Sequence, residues 1–282
     1  MKKIIFIADF FANETTGGAE LHDDVLINYF IQQGIFHEKI NSHNVNKQYV
    51  EANRDKVWIF GNFTNLSFDI IPLISKNIDY LIYEHDYKFL DVRNPILFTD
   101  FVAPKRHLIN LNFYKMAKKV ICISKMHYEI FQKNLGFENI VHTSCSMWSN
   151  KDLSLFEDLL GTEKNDSYAI IDSNNPIKKR SDSILFCEKN SLKYVLIKSN
   201  SYHEFIKTLS KFKGLVFMTG HPEPTPRVAI ECKMLGLKFI SQKKLISVAH
   251  EDYFHLEQKE MIEKVREMRD ENCNKILEWC MQ

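Results

Sequence analysis

The sequence predicts an α/β protein of two domains, each built on a parallel sheet that helices cover on both faces. Short β-branched runs alternate with amphipathic stretches along the whole chain, which is the pattern of βαβ units. The 282 residues suffice to bury two modest cores. A polar segment of weak periodicity, residues 150–166, separates two sets of this alternation, so we predict the domain boundary there.

The first set of elements lies in residues 1–150, the predicted N-terminal domain. Its strands are predicted where β-branched and aromatic residues cluster, at residues 3–8, 57–60, 80–83, 120–123 and 140–142. Its helices are predicted where apolar residues recur every three or four positions, at residues 19–33, 66–75, 105–117 and 125–135.

The second set lies in residues 151–256, the predicted C-terminal domain. Its predicted strands are residues 168–172, 194–197, 214–218 and 238–241. Its predicted helices are residues 180–188, 202–210 and 226–235. Residues 257–282 form a charged amphipathic tail, either one long helix or two broken ones, which is predicted to pack back across both domains.

Charge and cysteine content exclude several classes of protein. The 37 Lys and Arg residues balance 36 Asp and Glu, so no general nucleic-acid binding is expected. The six cysteines form no C-x-x-C pair and are predicted to be reduced residues of a cytoplasmic protein. The first apolar run stops at Asp9, too early for a signal peptide, and no run is long enough to span a membrane. Peripheral membrane contact stays open.

Two glycines, Gly17 and Gly18, follow the first predicted strand and open the first predicted helix. Glycines let backbone N–H groups approach a ligand closely, and a helix N-terminus offers unpaired donors with partial positive charge. This combination favours a phosphate. The alternative is a glycine-rich turn that Thr15 and Thr16 cap.

His85 follows another apolar strand, residues 80–83. In an open parallel sheet the carboxyl ends of the strands line the binding crevice, so polar side chains there have an elevated chance of contacting a ligand. We therefore predict a functional role for His85. The alternative is a histidine that only hydrogen-bonds the local backbone.

The most informative segment is residues 221–231, after the strand at residues 214–218. Thr225 suits the N-cap and Pro226 the first turn of a helix, whose amides at Arg227 and Val228 are expected to bind phosphate. Two carboxylates, Glu223 and Glu231, can accept hydrogen bonds from the hydroxyls at the two ends of the same ligand. The alternative is a capped helix with two solvated glutamates.

Glu223 and Glu231 have seven residues between them, and with Cys232–Gly236 they resemble the E-x(7)-E segment of retaining GT-B glycosyltransferases of family four. Gly-Gly-Ala-Glu at residues 17–20 resembles that family's donor-phosphate loop, and residues 113–124 resemble the strand that leads out of its first domain. The resemblance implies two Rossmann-like domains that face each other across a cleft. Residues 1–150 are then the acceptor side, and residues 151–256 bind the nucleotide sugar.

The resemblance also implies roles for single residues. Glu223 contacts the donor sugar, Glu231 contacts the ribose, and His85 lies near the sugar or its phosphate. The family places basic side chains on the diphosphate after the first strand of its second domain, where this chain has three candidates, Lys178, Lys179 and Arg180. The family's Gly-Arg pair is replaced here by Ser173-Asn174, so the choice among the three stays open.

The reaction implied by the resemblance transfers a hexose-like sugar from a nucleotide-diphosphate sugar to an acceptor hydroxyl, with retention at the anomeric carbon. A glycan or glycolipid is the expected acceptor. No cofactor or metal is expected, and no D-x-D triplet occurs in the sequence, which weakens the rival metal-dependent reading. Two alternatives stay open: a sugar-nucleotide epimerase of the same form, and a catalytically inactive protein that binds nucleotide sugars.

Overall fold

The computed structural model describes residues 2–199 and 201–282. These residues divide into two compact units. The first unit contains the chain up to Met147 together with Met268–Gln282, and the second contains Trp148–Glu267. The boundaries predicted from the sequence fall after residues 150 and 256.

The sheet of the first unit has six parallel strands in the order β2-β1-β3-β4-β5-β6. The strands are β1 (Ile4–Ala8), β2 (Phe36–Asn41), β3 (Val57–Phe60), β4 (Asp79–Glu84), β5 (Lys119–Cys122) and β6 (Ile140–His142). The chain places β2 on one side of β1 and all later strands on the other. In open α/β sheets, the carboxyl ends of strands at such a reversal are where ligands bind.

Five helices accompany this sheet: α1 (Gly18–Gln32), α2 (Lys47–Ala52), α3 (Ile71–Asn77), α4 (Leu111–Met116) and α5 (Lys125–Leu135). The helix predicted from residue 66 begins only at Ile71, because Pro72 is tolerated in a first turn but not further along a helix. The helix predicted at 105–117 is interrupted. A short 3₁₀ turn, Lys105–His107, precedes α4, and Asn110 between them has a left-handed backbone, with φ of 57°.

Two hydrophobic clusters cover the two faces of the first sheet. Ile5 and Ile7 pack on one face with Trp58 and Phe113, whereas Ile4 and Phe6 pack on the other. This alternation follows from the two-residue period of a strand and leaves β1 completely buried. The second cluster includes Cys273, Ile276 and Cys280. These belong to α10 (Gln258–Met281), so the tail is one helix rather than two.

The sheet of the second unit has four parallel strands in the order β10-β9-β7-β8. They are β7 (Asn165–Ile171), β8 (Tyr194–Ile197), β9 (Phe212–Val216) and β10 (Lys238–Ile240). The other helices of this unit are α6 (Asn150–Asp158), α7 (Arg180–Lys189), α8 (Tyr202–Leu209) and α9 (Arg227–Met234). β8 is added on one side of β7, and the later strands β9 and β10 are added on the other side. The strand order therefore reverses between β7 and β9, and the carboxyl ends of these two strands mark the expected ligand site of this sheet.

The polar segment predicted as a boundary contains a helix, α6. Ser149 and Asp152 cap it reciprocally: each side chain accepts a hydrogen bond from the other residue's backbone N–H. Leu153 and Phe156 are the buried apolar residues of this helix. A helix of nine residues presents too few apolar positions for the periodicity to show in the sequence.

All six cysteines are buried, and none forms a disulfide in the part of the chain that the structure describes. Within the residues that the structure describes, no helix combines the length and apolar content required to cross a membrane.

Candidate functional site

In the second unit, the loops that follow β7 and β9 lie side by side. The Lys178 Nζ atom is 3.0 Å from Oε1 of Glu223, and the Gly220 amide donates to the Ile177 carbonyl at 2.8 Å. The Cε atom of Lys179 also lies close to Gly220, 2.9 Å from the position that a Cβ atom there would take. The structure thus brings together two candidates from separate sequence motifs, Lys178 and Glu223.

Glu223 is held from both its backbone and its side chain. Its N–H donates to the Leu245 carbonyl, and its carbonyl accepts from the N–H and hydroxyl of Ser247. Oε1 accepts from Lys178 and, at 3.2 Å, from the hydroxyl of Thr219. Oε2 has no partner in residues 2–199 and 201–282, and 10% of the side chain is exposed. A preorganised carboxylate oxygen is therefore available to a ligand hydroxyl.

The three basic candidates differ in how they are engaged. Lys178 contacts Glu223 and also lies over the Phe217 ring, 5.2 Å from its centroid. Arg180 forms an ion pair with Asp172. Lys179 is exposed, has a left-handed backbone with φ of 42°, and makes no ion pair within the described part of the chain. Each of the three therefore keeps N–H groups for an anion, because Lys178 and Arg180 use only part of theirs on one carboxylate each.

The helix predicted to start at Pro226 starts one residue later. Pro226 is itself the N-cap of α9, because its ψ of 101° is extended rather than helical. The prediction of Thr225 as the N-cap was wrong: its hydroxyl donates to the adjacent Pro224 carbonyl. The Val228 amide, in the first turn, finds no acceptor among the described residues. The helix start thus still offers a donor to an anion.

The second glutamate of the motif, Glu231, lies in a closed aromatic cage. Its Oε1 accepts from the Tyr202 hydroxyl at 2.7 Å and from Trp148 Nε1 at 3.2 Å. The Arg227 guanidinium lies 4.3 Å from the centroid of the Trp148 ring and 5.3 Å from that of Tyr202. Cation–π contacts and the Glu231 charge both stabilise a guanidinium held in this way.

Burial sets the electrostatics of this cage. Glu231 is 2% exposed and Arg227 is 7% exposed. Burial raises the pKa of Glu231, although Arg227 opposes the shift. Glu223, at 8% exposure, is buried as well, so the alternative of two merely solvated glutamates was wrong. No sequence pattern points to Trp148 and Tyr202, which lie 83 and 29 residues from Glu231.

In the first unit, His85 contacts α1, the helix that Gly17 and Gly18 open. His85 Nε2 lies 2.6 Å from Oδ1 of Asp23, so the alternative of a histidine that only bonds the local backbone was wrong. Gly17 is the N-cap of α1 and has no side chain to cap the helix, so the alternative of capping threonines was also wrong. Instead the Glu20 carboxylate folds back beside Gly17, where a Cβ atom would collide with it.

A second histidine, His22, forms a buried hydrogen-bond chain next to this pair. Its Nε2 is 2.5 Å from the Tyr83 hydroxyl, and its Nδ1 accepts from the Met147 amide at 3.1 Å. Because Nδ1 accepts from a backbone N–H, the ring proton lies on Nε2 and the imidazole is neutral. The rings of His22 and His85 are 5.2 Å apart and nearly perpendicular. Neither His22 nor Asp23 belongs to a sequence motif that predicts a functional role.

Asp9 ends β1 and ties the neighbouring loops to it. Its carboxylate accepts from the backbone amides of Thr64 and Asn65, each at 3.0 Å, and from the hydroxyls of Ser42 and Thr64. The residue is 2% exposed, so these bonds replace its hydration. Asp9 thereby fixes the loop after β3 at the reversal point of the first sheet. In the sequence, this aspartate interrupts the first apolar run, which by itself indicates only that the run is too short for a signal peptide.

The second unit also contains a cavity of about 460 Å³ beyond β10. Phe239, Phe254 and Asp252 are among its lining residues, together with Ile246, which pairs with Glu223 through the backbone. A smaller cavity of about 140 Å³ lies in the first unit, beside Phe63. In the described ranges, no group of three or more His, Cys, Asp or Glu side chains is arranged to hold a metal ion.

No protein-family model matches the sequence, and no curated protein matches it either. Solved structures do match its fold. HepE from Anabaena, in complex with UDP and glucose, has a TM-score of 0.56 at 15% identity, with 99% of this chain and 92% of that one covered. The lipopolysaccharide outer core galactosyltransferase WaaB has a TM-score of 0.54 at 10% identity, with 99% of each chain covered.

An alpha-glucosyltransferase in complex with UDP and a 13-mer DNA containing an HMU base also matches. Its TM-score is 0.51 at 10% identity, with 99% of this chain and 95% of that one covered. These likenesses confirm the predicted fold class. The chain is an α/β protein with two parallel sheets, similar to the GT-B glycosyltransferases.

Proposed function

We propose that the chain is a glycosyltransferase that takes a sugar from a nucleotide-diphosphate sugar, with a UDP-sugar as the donor. The main support is the meeting of Lys178 and Glu223 at the reversal point of the second sheet. A cation and an acceptor oxygen there suit the two chemical parts of such a donor, the anionic diphosphate and the hydroxyl-bearing sugar. The complexes of HepE and of the alpha-glucosyltransferase with UDP favour uracil as the base.

The diphosphate is proposed to bind Lys178, Lys179 and the first turn of α9, with the Val228 amide as one donor. Glu223 Oε2 accepts from the sugar hydroxyls. Arg180 is proposed as a further contact, because Asp172 occupies only part of its guanidinium, as Glu223 does of the Lys178 ammonium group. Gly17, Gly18 and His85 are proposed as donor-binding residues of the first unit. Thr225 contributes through its backbone, since its hydroxyl already donates to Pro224.

Glu231 and Arg227 are proposed to form the part of the site that binds the ribose of the nucleotide sugar. Oε1 of Glu231 already accepts two hydrogen bonds, so a ribose hydroxyl must bind the other oxygen or replace the Tyr202 hydroxyl. Arg227 acts in this scheme as the counter-charge of the buried Glu231 rather than as a phosphate ligand, because both aromatic rings enclose its guanidinium.

The proposed reaction is metal-independent and retains the anomeric configuration. A bond forms between the acceptor oxygen and the anomeric carbon while the bond from that carbon to the phosphate oxygen breaks. The acceptor's proton passes to the departing phosphate oxygen. The chain's own contribution is to stabilise the negative charge on the leaving diphosphate through Lys178, Lys179 and the α9 amides. The proposed acceptor is a hydroxyl of a glycan or glycolipid, the proposed location is the cytoplasm, and no cofactor is proposed.

A nucleotide-sugar screen tests this proposal. We expect UDP and one or more UDP-sugars to raise the Tm by several degrees, because a ligand at about 100 times its Kd stabilises the folded state by about 2.7 kcal/mol. Incubation with the matching UDP-sugar and an acceptor sugar is then expected to release UDP. Binding without turnover or hydrolysis would instead indicate the inactive sugar-nucleotide-binding protein.

The control for this screen is a pair of lysine variants in the second unit. Lys178→Met is expected to abolish most of the stabilisation by UDP, whereas Lys193→Met, which removes a lysine whose side chain is 74% exposed, should leave it intact. The proposal is contradicted if no nucleotide sugar stabilises the wild-type chain, or if the two variants respond alike.

A further inference from the structure

Asp23 and His85 form a pair that the proposed reaction does not by itself require. Asp23 lies in the second turn of α1, and His85 directly follows β4. The 2.6 Å contact joins side chains that are only 3% and 8% exposed. Gly61, after β3, would collide with the Asp23 carboxylate if it carried a Cβ atom. Three elements of the first unit thus leave this carboxylate little freedom to turn away from the ring.

The hydrogen bond between Asp23 and His85 determines which ring nitrogen of His85 can contact a ligand. A carboxylate only accepts, so the hydrogen between the two groups belongs to Nε2 of His85. Nδ1 has no hydrogen-bond partner in residues 2–199 and 201–282, and this atom is not completely buried. Nδ1 therefore keeps accessible surface and is the atom through which His85 can contact a ligand.

The surroundings of His85 favour its charged form. Burial by itself lowers the pKa of His85, but the charge and hydrogen bond of Asp23 outweigh burial and raise that pKa above its ordinary value of 6.5. Lys88 opposes the shift and Glu84 supports it. Among the described residues, the titratable and charged groups around the ring include Glu20, His22 and Asp23 on α1, Tyr83 and Glu84 on β4, Lys88, and His127 on α5.

We propose that Asp23 is a positioning residue that orients His85 and keeps its ring protonated on both nitrogens, so that Nδ1–H donates to an oxygen of the nucleotide sugar. The proposal rests on the proposed function and assigns to Asp23 a role that the sequence motifs did not indicate. A charged donor hydrogen-bonds about twice as strongly as a neutral one, and a phosphate or sugar oxygen can accept from it. Without Asp23, burial lowers the pKa of the His85 ring, so the imidazole loses its second proton at lower pH than in the wild type and Nδ1 becomes an acceptor.

The test is the pH dependence of UDP-sugar affinity, measured by calorimetry from about pH 5.5 to about pH 9 for three proteins. Because the charged form donates, wild-type affinity is expected to fall as pH rises through the raised pKa of His85. We call this fall in affinity at high pH the alkaline limb of the profile. In Asp23→Asn the alkaline limb should move to lower pH by about one unit or more. Asp24→Asn removes the same charge from the next residue of α1 and should leave the limb unchanged.

Parallel titrations with UDP alone identify the accepting oxygen. The ligand's own titration is common to all three proteins and cancels in the comparison. A shift between wild type and Asp23→Asn that UDP alone reproduces places the contact on a phosphate, and a shift that requires the sugar places it on a sugar hydroxyl. The proposal is overturned if the pH profiles of wild type and Asp23→Asn superimpose.

NMR titration of the wild-type histidine rings provides an independent test should Asp23→Asn not fold. A resonance of His85 that titrates above pH 6.5 is expected, and titration below this value would overturn the proposal. If no nucleotide binds the wild-type protein, the proposed function fails, but this titration still decides whether Asp23 holds the ring protonated.

Discussion

Replacing Glu223 by glutamine is expected to lower kcat/KM for the UDP-sugar by roughly 10- to 150-fold, because hydrogen bonds to a charged group contribute about 1.5–3 kcal/mol. The amide has one acceptor oxygen where the carboxylate has two. If that oxygen keeps the contacts with Lys178 and Thr219, an NH₂ group replaces Oε2 towards the sugar hydroxyl. The measurement is the initial rate of UDP release over a range of donor concentrations.

Glu257→Gln is the matched control for this prediction. Glu257 also lies in the second unit and also pairs with a lysine, Lys233, but its side chain is 62% exposed. The control should keep wild-type kinetics. Similar losses in both variants, or wild-type activity in Glu223→Gln, would contradict the assignment of Glu223 to the donor sugar.

Lys88→Met is expected to destabilise the protein by about 3–5 kcal/mol, because it leaves a buried carboxylate without its cation. Glu84 is 0% exposed and Lys88 is 2% exposed, and the Tyr114 hydroxyl donates to the other oxygen of Glu84 at 2.5 Å. Burial raises the pKa of Glu84, so the variant is also expected to bind a proton there at higher pH than the wild type. Thermal unfolding should show a Tm lower by roughly 10 °C.

Two further variants separate this cause from a general loss of packing. Lys2→Met removes an exposed pair with Asp79 and should cost less than about 1 kcal/mol. The double variant Lys88→Met with Glu84→Gln removes both charges and should recover much of the lost Tm. A Tm of Lys88→Met equal to that of the wild type would show that the buried pair contributes nothing to stability.

Most of the fold could be predicted from the sequence because most of its strands read as apolar runs, both where the strand is completely buried, as in β1, and where it is partly exposed, as in β8. β8 was predicted with its observed bounds, Tyr194–Ile197, and α5 with its bounds, Lys125–Leu135. β2 was missed because it is the edge strand of its sheet, where charged side chains such as Glu38 and Lys39 are tolerated and hide the strand pattern.

In the candidate site, only the proximity of residues that follow neighbouring strands could be predicted, because the order of the strands in the sheet is enough to bring them together. Lys178 and Glu223 follow neighbouring parallel strands, so their proximity follows from the sheet order. Asp23, Trp148 and Tyr202 contact partners that are far from them in the sequence, and no local spacing encodes such contacts. The N-cap at Thr225 was wrong for a similar reason, since the conformation of Pro226 depends on the loop that precedes it.

The most direct test of the donor site is a crystal structure of the chain with UDP. We expect the diphosphate oxygens within hydrogen-bonding distance of Lys178 Nζ and the Val228 amide, with the ribose next to Glu231. UDP bound elsewhere, for example in the 460 Å³ cavity beside Phe239 and Phe254 with the α9 amides unoccupied, would contradict the account.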